Sequence, residues 1–153
     1  MIRQRVELPH WGWKVYVYYA VDSYYADEIL SLMEEMGASR VVLSRTVDNL
    51  RSDVFDTGLT YSNADLRTSV MVVGRSSSAA EFNNTLNHES GHVTKHICQT
   101  DHIDPFSEEA EYILGELSQA LFPVAGQFLC ERCRRGLHRN NARERPKQGY
   151  REA

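Results

Sequence analysis

Valine and tyrosine dominate the stretch from Trp13 to Val21, bounded by Gly12 and Asp22. A run of β-branched and aromatic residues of that length predicts a buried strand. Asp22 or Ser23 then caps a helix to about Met36, with Ala26, Ile29, Leu30, Met33 and Met36 on one face and Gly37 as its stop. Residues 40–46, which include Val41-Val42-Leu43, predict a second strand. Strand, helix and strand at this spacing suggest a crossover unit. The polar residues 47–57 predict no regular element. Residues 58–62 and 66–73 flank turn-forming residues at 63–65, which predicts a hairpin. Its second arm carries Val70-Met71-Val72-Val73 and should be the better buried, and Gly74 ends it.

The pattern then changes to helical. Ser78-Ala79-Ala80-Glu81 has the form of a capping box, and a helix is expected over 79–99. Phe82, Leu86, Val93 and Ile97 form its apolar stripe, and the position that continues the stripe between Leu86 and Val93 is Glu89. A carboxylate on a core-facing stripe is costly unless it is paired or functional. Gly91 costs the same helix about 1 kcal/mol against alanine, which predicts close approach of another segment, such as the strand at 70–73. Asp104-Pro105 predicts the start of a third helix running to about 121, with Phe106, Ala110, Ile113, Leu117 and Leu121 as its stripe. Pro123 opens a fourth that ends near Gly136. These elements together are read as one α+β domain over residues 1–135.

Composition narrows the class. The 153 residues are 42% hydrophobic and 25% charged, as in an ordinary globular domain. No apolar run reaches the roughly 18 residues of a membrane helix, and residues 1–13 do not read as a secretory signal. Three cysteines are too few for a disulfide framework, so a cytoplasmic setting is expected. The net charge of −4 is unevenly distributed. Residues 1–129 carry 9 Lys+Arg against 18 Asp+Glu, and residues 130–153 carry 8 against 3. Residues 136–153 have almost nothing to bury and read as a basic, disordered tail. Such a tail either keeps the protein soluble or touches an acidic or nucleic-acid partner.

The strongest chemical signal is His88-Glu89-Ser90-Gly91-His92, which matches H-E-x-x-H. Histidines four apart lie one above the other on a helix, so both imidazoles can reach one Zn²⁺ while the glutamate between them faces its water. A catalytic zinc needs a third protein ligand as well. His96 shares the face, but two turns and roughly 12 Å from His88 it is too far. His102 would need a loop to bring it back. Better candidates open the next helix, in Ser107-Glu108-Glu109-Ala110-Glu111-Tyr112-Ile113-Leu114-Gly115-Glu116.

On these residues the sequence resembles the zincin metallopeptidases, and among them the gluzincins, in which a glutamate from a following helix is the third ligand. It is also similar to small H-E-x-x-H proteins of gut bacteria and their phages, where a segment of the form E-x-x-x-Y-x-x-G follows. The likeness spans residues 70–121 and is tight only at 88–92 and 108–115. It implies an edge strand lining the substrate cleft, then the active-site helix, then the ligand helix. It offers Glu108, by its spacing to Tyr112 and Gly115, as third ligand. Glu109 is the alternative, by the Glu-Ala pair of gluzincins and its place at the edge of the apolar stripe. Gly115 would then allow close contact with the zinc helix.

The expected function is zinc-dependent hydrolysis of peptide bonds in a peptide or protein substrate. His88, His92 and Glu108 or Glu109 hold the metal, and Glu89 carries the proton as general base. Tyr112 is a candidate oxyanion donor. The competing reading is a non-catalytic zinc-binding regulatory protein, or one that binds a nucleic-acid or host partner, in which the zinc is a brace. Cys130-x-x-Cys133, with His138 five residues on, reads as two small hydrophobes, half of a second metal site, or a redox pair.

Overall fold

The computed structural model describes residues 1–143, with side chains through 140. The fold is α+β, a mixed four-stranded sheet between two layers of helix. Strand β1 (Ile2–Leu8) pairs antiparallel with β2 (Trp13–Val21). Helices α1 (Ala26–Glu35) and α2 (Arg40–Arg51) follow, then the hairpin of β3 (Gly58–Asn63) and β4 (Thr68–Gly74). Strand β4 pairs parallel with β2, giving the order β1-β2-β4-β3. The three helices α3 (Ala79–Asp101), α4 (Glu108–Ala125) and α5 (Glu131–Arg143) complete the chain.

The near-continuous apolar run of β2 and β4 is explained by burial on both faces. Trp13, Val15, Val17, Tyr19, Met71 and Val73 point to one side, where Phe82, Val93 and Ile97 of α3 and Ile113, Leu117 and Leu121 of α4 cover them. Tyr18, Val21, Val70 and Val72 point to the other, under Ile29 and Met33 of α1 and Leu50 of α2.

Several elements differ from the sequence reading. Residues 40–46 are the start of α2, not a strand. Ser39 caps it by accepting from the Val42 amide, and the buried residues Thr46 and Leu50 recur at helical spacing. Local β-branching is outweighed here by the period of the buried positions. The crossover between β2 and β4 therefore holds two helices and an edge strand. Strand β1 was not expected, although Val6 and Leu8 are buried in a period-two pattern. Asp104 opens a turn, accepting the Phe106 amide, and Ser107 caps α4 instead. Phe106 is 95% exposed and lies outside the core. Pro123 does not open a helix; it lies inside the last turn of α4, where it lacks the amide that would bond the Gln119 carbonyl. Residues 136–143, expected as tail, extend α5, and the rest of that predicted tail lies outside the described residues. Among the described residues no single helix is long and apolar enough to cross a membrane.

Candidate active site

Helix α3 is fixed at its start by the Ser78 hydroxyl, which accepts from the Glu81 amide at 3.1 Å. Its end is fixed by Asp101, whose carboxylate takes two hydrogen bonds from Arg67, at 2.7 and 2.8 Å. Between these anchors the histidine pair forms as the spacing requires. The Nε2 atoms of His88 and His92 are 3.1 Å apart, with the rings nearly perpendicular at 74°. Zn–N bonds of about 2.05 Å in tetrahedral array place two nitrogens about 3.3 Å apart. The pair therefore fits a shared divalent metal.

Glu89 is buried, at 4% exposure, as its place on the stripe predicts. What satisfies it is the edge strand. Thr60 Oγ1 donates to Glu89 Oε2 at 2.7 Å. Gly58, two residues earlier on the same face of β3, lies against the carboxylate, and a Cβ there would sit 2.5 Å from Oε1. Two residues later, Ser62 bonds to His96 Nδ1 at 2.8 Å and to Ser69 at 2.7 Å, and Ser69 accepts from the Trp13 indole. Burial, and then the neighbouring His92, hold the His96 imidazole below the usual histidine range. His96 is thus a packing residue that ties α3 to the sheet.

A cleft of about 310 Å³ runs between α3 and the segment entering β3, lined by His88, Glu89, Thr85, Asp56, Thr57 and Gly58. His88 and Glu89 therefore open onto a groove whose other wall is the segment entering the edge strand β3. Gly58, Thr60 and Ser62 were not singled out in the sequence. Their signal was a stripe of small and polar residues at every second position of a strand, facing the helix that carries the motif.

The remaining candidates lie elsewhere. Glu108 and Glu109 are exposed in the first turn of α4. The charge of Glu109 acts on Cys98, which is six residues and about 9 Å beyond His92 and most of the way round the helix. Among the described residues, no group of three or more His, Cys, Asp or Glu side chains is gathered to hold a metal. His102 caps the far end of α3 in the left-handed conformation (φ 56°) and is not brought back to the pair. Tyr112 is 66% exposed and lines a separate hollow with His10, Trp11 and Glu116. Gly91 and Gly115 admit no close neighbour, since a Cβ at either position meets nothing within 4 Å. The glycine that a close approach does require is Gly58.

Cys130 and Cys133 are exposed at the start of α5, so they are not packed as small hydrophobes. Hydrogen bonds from the Cys133 amide and thiol hold the Cys130 thiol below the ordinary range. His138 is turned away from them, against Phe128 with ring centroids 6.2 Å apart. No protein-family model, curated protein or solved structure matches the chain.

Proposed function

We propose that this chain is a zinc-dependent peptidase of zincin-like fold, acting in the cleft between α3 and β3. The observation that carries the reading is the convergence of the His88 and His92 Nε2 atoms, 3.1 Å apart, beside a buried Glu89. A histidine pair alone would serve a structural metal. A carboxylate kept inward between the two, at the cost of desolvation, has a use chiefly as a proton carrier.

His88 and His92 would hold the metal; Glu108, or Glu109 in its place, stands apart from the pair in the structure and would serve as third ligand only after α4 moved toward it. The metal, when bound, supplies a Lewis acid for the scissile carbonyl and lowers the pKa of water. Glu89 Oε2 is fixed by Thr60, which leaves Oε1 as the basic atom. Oε1 accepts the proton of the attacking water and passes it to the departing amine. Among the described residues β3 pairs only with β4, so its outer edge beyond Gly58, whose carbonyl meets the Asn49 side-chain amide, would take an extended peptide along the groove. The cleft is small, and one peptide strand suits it.

The test is metal analysis together with cleavage of an unfolded, fluorescently labelled protein such as casein. Wild type is expected to carry about one zinc per chain, lost in His92→Ala and weakened in Glu108→Ala. Glu89→Gln should keep the metal and lose roughly 10²–10⁴-fold in rate. Equal activity in wild type and Glu89→Gln, with zinc retained, removes the peptidase reading and leaves the non-catalytic one. Full metal content in both Glu108→Ala and Glu109→Ala removes the proposed third ligand.

A further inference from the structure

On the opposite end of α3 from its Asp101 anchor, a second cavity opens between α5 and the segment joining β4 to α3. Its volume is about 600 Å³, and its wall includes Arg75, Ser76, Arg134, Arg135, His138 and Arg139. That volume is in the range of small-molecule sites, about 300–1,000 Å³. Four arginines and a histidine face a space whose one acidic lining residue is Asp22. Asp22 Oδ2 lies 4.0 Å from Arg75 Nε, and Arg75 also meets Asp53 at 3.5 Å. Glu131 answers Arg134 at 2.8 Å and, more weakly, Arg135 at 3.7 Å. Arg139 has no carboxylate within ion-pair distance among the described residues.

The cavity is built rather than incidental. Arg134 is 5% exposed, a rare state for an arginine. It donates to the Ser76 carbonyl, and to the Ser77 carbonyl at 3.1 Å, which fixes the guanidinium against the chain. Among the described residues its Nε has no acceptor, and the buried His138 Nε2 has no partner. Leaving two such polar atoms unanswered costs roughly 1–3 kcal/mol each. A protein that needed only stability would place an apolar side chain at 134. Burial, and then the nearby Arg134 and Arg75, keep the His138 imidazole below its ordinary range, so it can donate or accept as a ligand requires.

We propose that this cavity is a binding site for the phosphate or diphosphate group of a small molecule, separate from the cleft of α3 and β3. Guanidinium groups suit phosphate oxygens because their planar N–H forks match them in pairs. Arg135 and Arg139, exposed at the mouth, draw the anion in. Arg134 and His138 offer hydrogen bonds deeper inside. Phe55, with Arg75 over its ring at 4.8 Å, provides a flat apolar wall for an organic portion of the ligand.

The experiment is calorimetric titration of the full chain with inorganic pyrophosphate, then with ADP, at constant ionic strength. The His88→Ala/His92→Ala background is used so that metal chelation does not contribute. The proposal expects saturable one-to-one binding of pyrophosphate, weakened at least tenfold in Arg135→Glu/Arg139→Glu. Both of those residues are exposed, so their reversal should leave the fold intact, as circular dichroism will show. Arg134→Ala removes the bonds to the Ser76 and Ser77 carbonyls and loosens the segment between β4 and α3; Arg134→Lys, which keeps a charge but lacks the fork, should bind more weakly while remaining folded. Tighter binding of ADP than of pyrophosphate identifies a nucleotide-like ligand held partly through Phe55, whereas equal affinity identifies the phosphate alone. Absence of saturable binding to either anion, or affinity unchanged in the double reversal, overturns the proposal. So does salt-sensitive RNA binding abolished by the double reversal when neither small anion saturates, because the face would then serve nucleic acid.

Discussion

The two faces of the sheet are built on different principles. Beneath α1 and α2 the buried residues are apolar but for Asp22 at the edge, which accepts the Tyr24 amide, and Thr46, which returns a hydrogen bond to the Val42 carbonyl of its own helix. Beneath α3, α4 and α5 the apolar core is as complete, yet Ser69, Thr85, Glu89, Ser90, Thr94 and Arg134 are buried along with it. Each polar group removed from water costs free energy unless it is paired. On this face the pairing is specific: Thr60 to Glu89, Trp13 to Ser69, and Arg134 to the Ser76 carbonyl. The first face shows that this chain can make a dry core where only stability is required. The polar groups of the second therefore mark where something more is required, and Thr85, Glu89 and Arg134 among them border the two cavities described above.

That contrast predicts different consequences for damage on the two faces. Met33, fully buried on the inner face of α1, should be a purely structural residue. Met33→Ala is expected to cost about 2–5 kcal/mol, as large-to-small core changes do. Urea unfolding measures the loss, while zinc per folded chain and pyrophosphate affinity should stay at wild-type values. A metal content that fell with Met33→Ala under folding conditions would show the two faces to be coupled and would break the comparison.

Gly58 sharpens it from the other side. A Cβ at 58 would meet Oε1, Cγ and Cδ of Glu89 at 2.5, 2.7 and 2.8 Å, so Gly58→Ala must displace the carboxylate or part β3 from α3. Overpacking of this kind costs about 1–3 kcal/mol. The cost should shrink when Glu89 is truncated, so a double-mutant cycle of Gly58→Ala with Glu89→Ala should give a coupling of about 1 kcal/mol or more. Equal destabilisation by Gly58→Ala in both backgrounds would mean that the glycine serves some other contact. Activity should fall with Gly58→Ala even where the protein remains folded, because Oε1 is the displaced atom.

How much of this could be read in the sequence follows the same division. Local signals were reliable: the Ser78 cap, the stripe that placed Glu89 inward, and the histidine spacing all act within a few turns of one helix. The hairpin at 58–74 was legible for the same reason. Helix α2 was not, because Val41-Val42-Leu43 read as strand while the deciding pattern, burial at 46 and 50, was tertiary. Strand β1 was missed because its polar positions face outward and only Val6 and Leu8 are apolar and buried. The partners of Glu89 were not legible either. Thr60 and Gly58 lie about thirty residues away in sequence and meet the helix only because β3 is the edge strand of the sheet. The basic cavity depends on Arg75, on Arg134 and Arg135 at the end of the fourth expected helix, and on Arg139, which reads as part of a solvated tail.

The smallest expected effect concerns the far anchor of α3. Asp101 stands in the last turn, where the helix dipole disfavours a negative charge, and the two-pronged bond from Arg67 compensates. That bond holds the Asp101 carboxyl below the usual aspartate range. With the folded-state value depressed, the pair contributes fully above the unfolded value of about 3.9 and is lost as pH falls through the folded one. Both side chains are partly exposed, at 35% and 24%, so solvent screening keeps the contribution to about 0.5–1 kcal/mol. Asp101→Asn should therefore lower stability by that amount at pH 7, and the two proteins should converge near pH 2. Urea midpoints across that range measure it. Zinc content should be unchanged, since the pair lies more than two turns from His92. A constant gap at every pH would assign the loss to side-chain packing instead of charge, and a loss of zinc would extend the site to the whole length of α3.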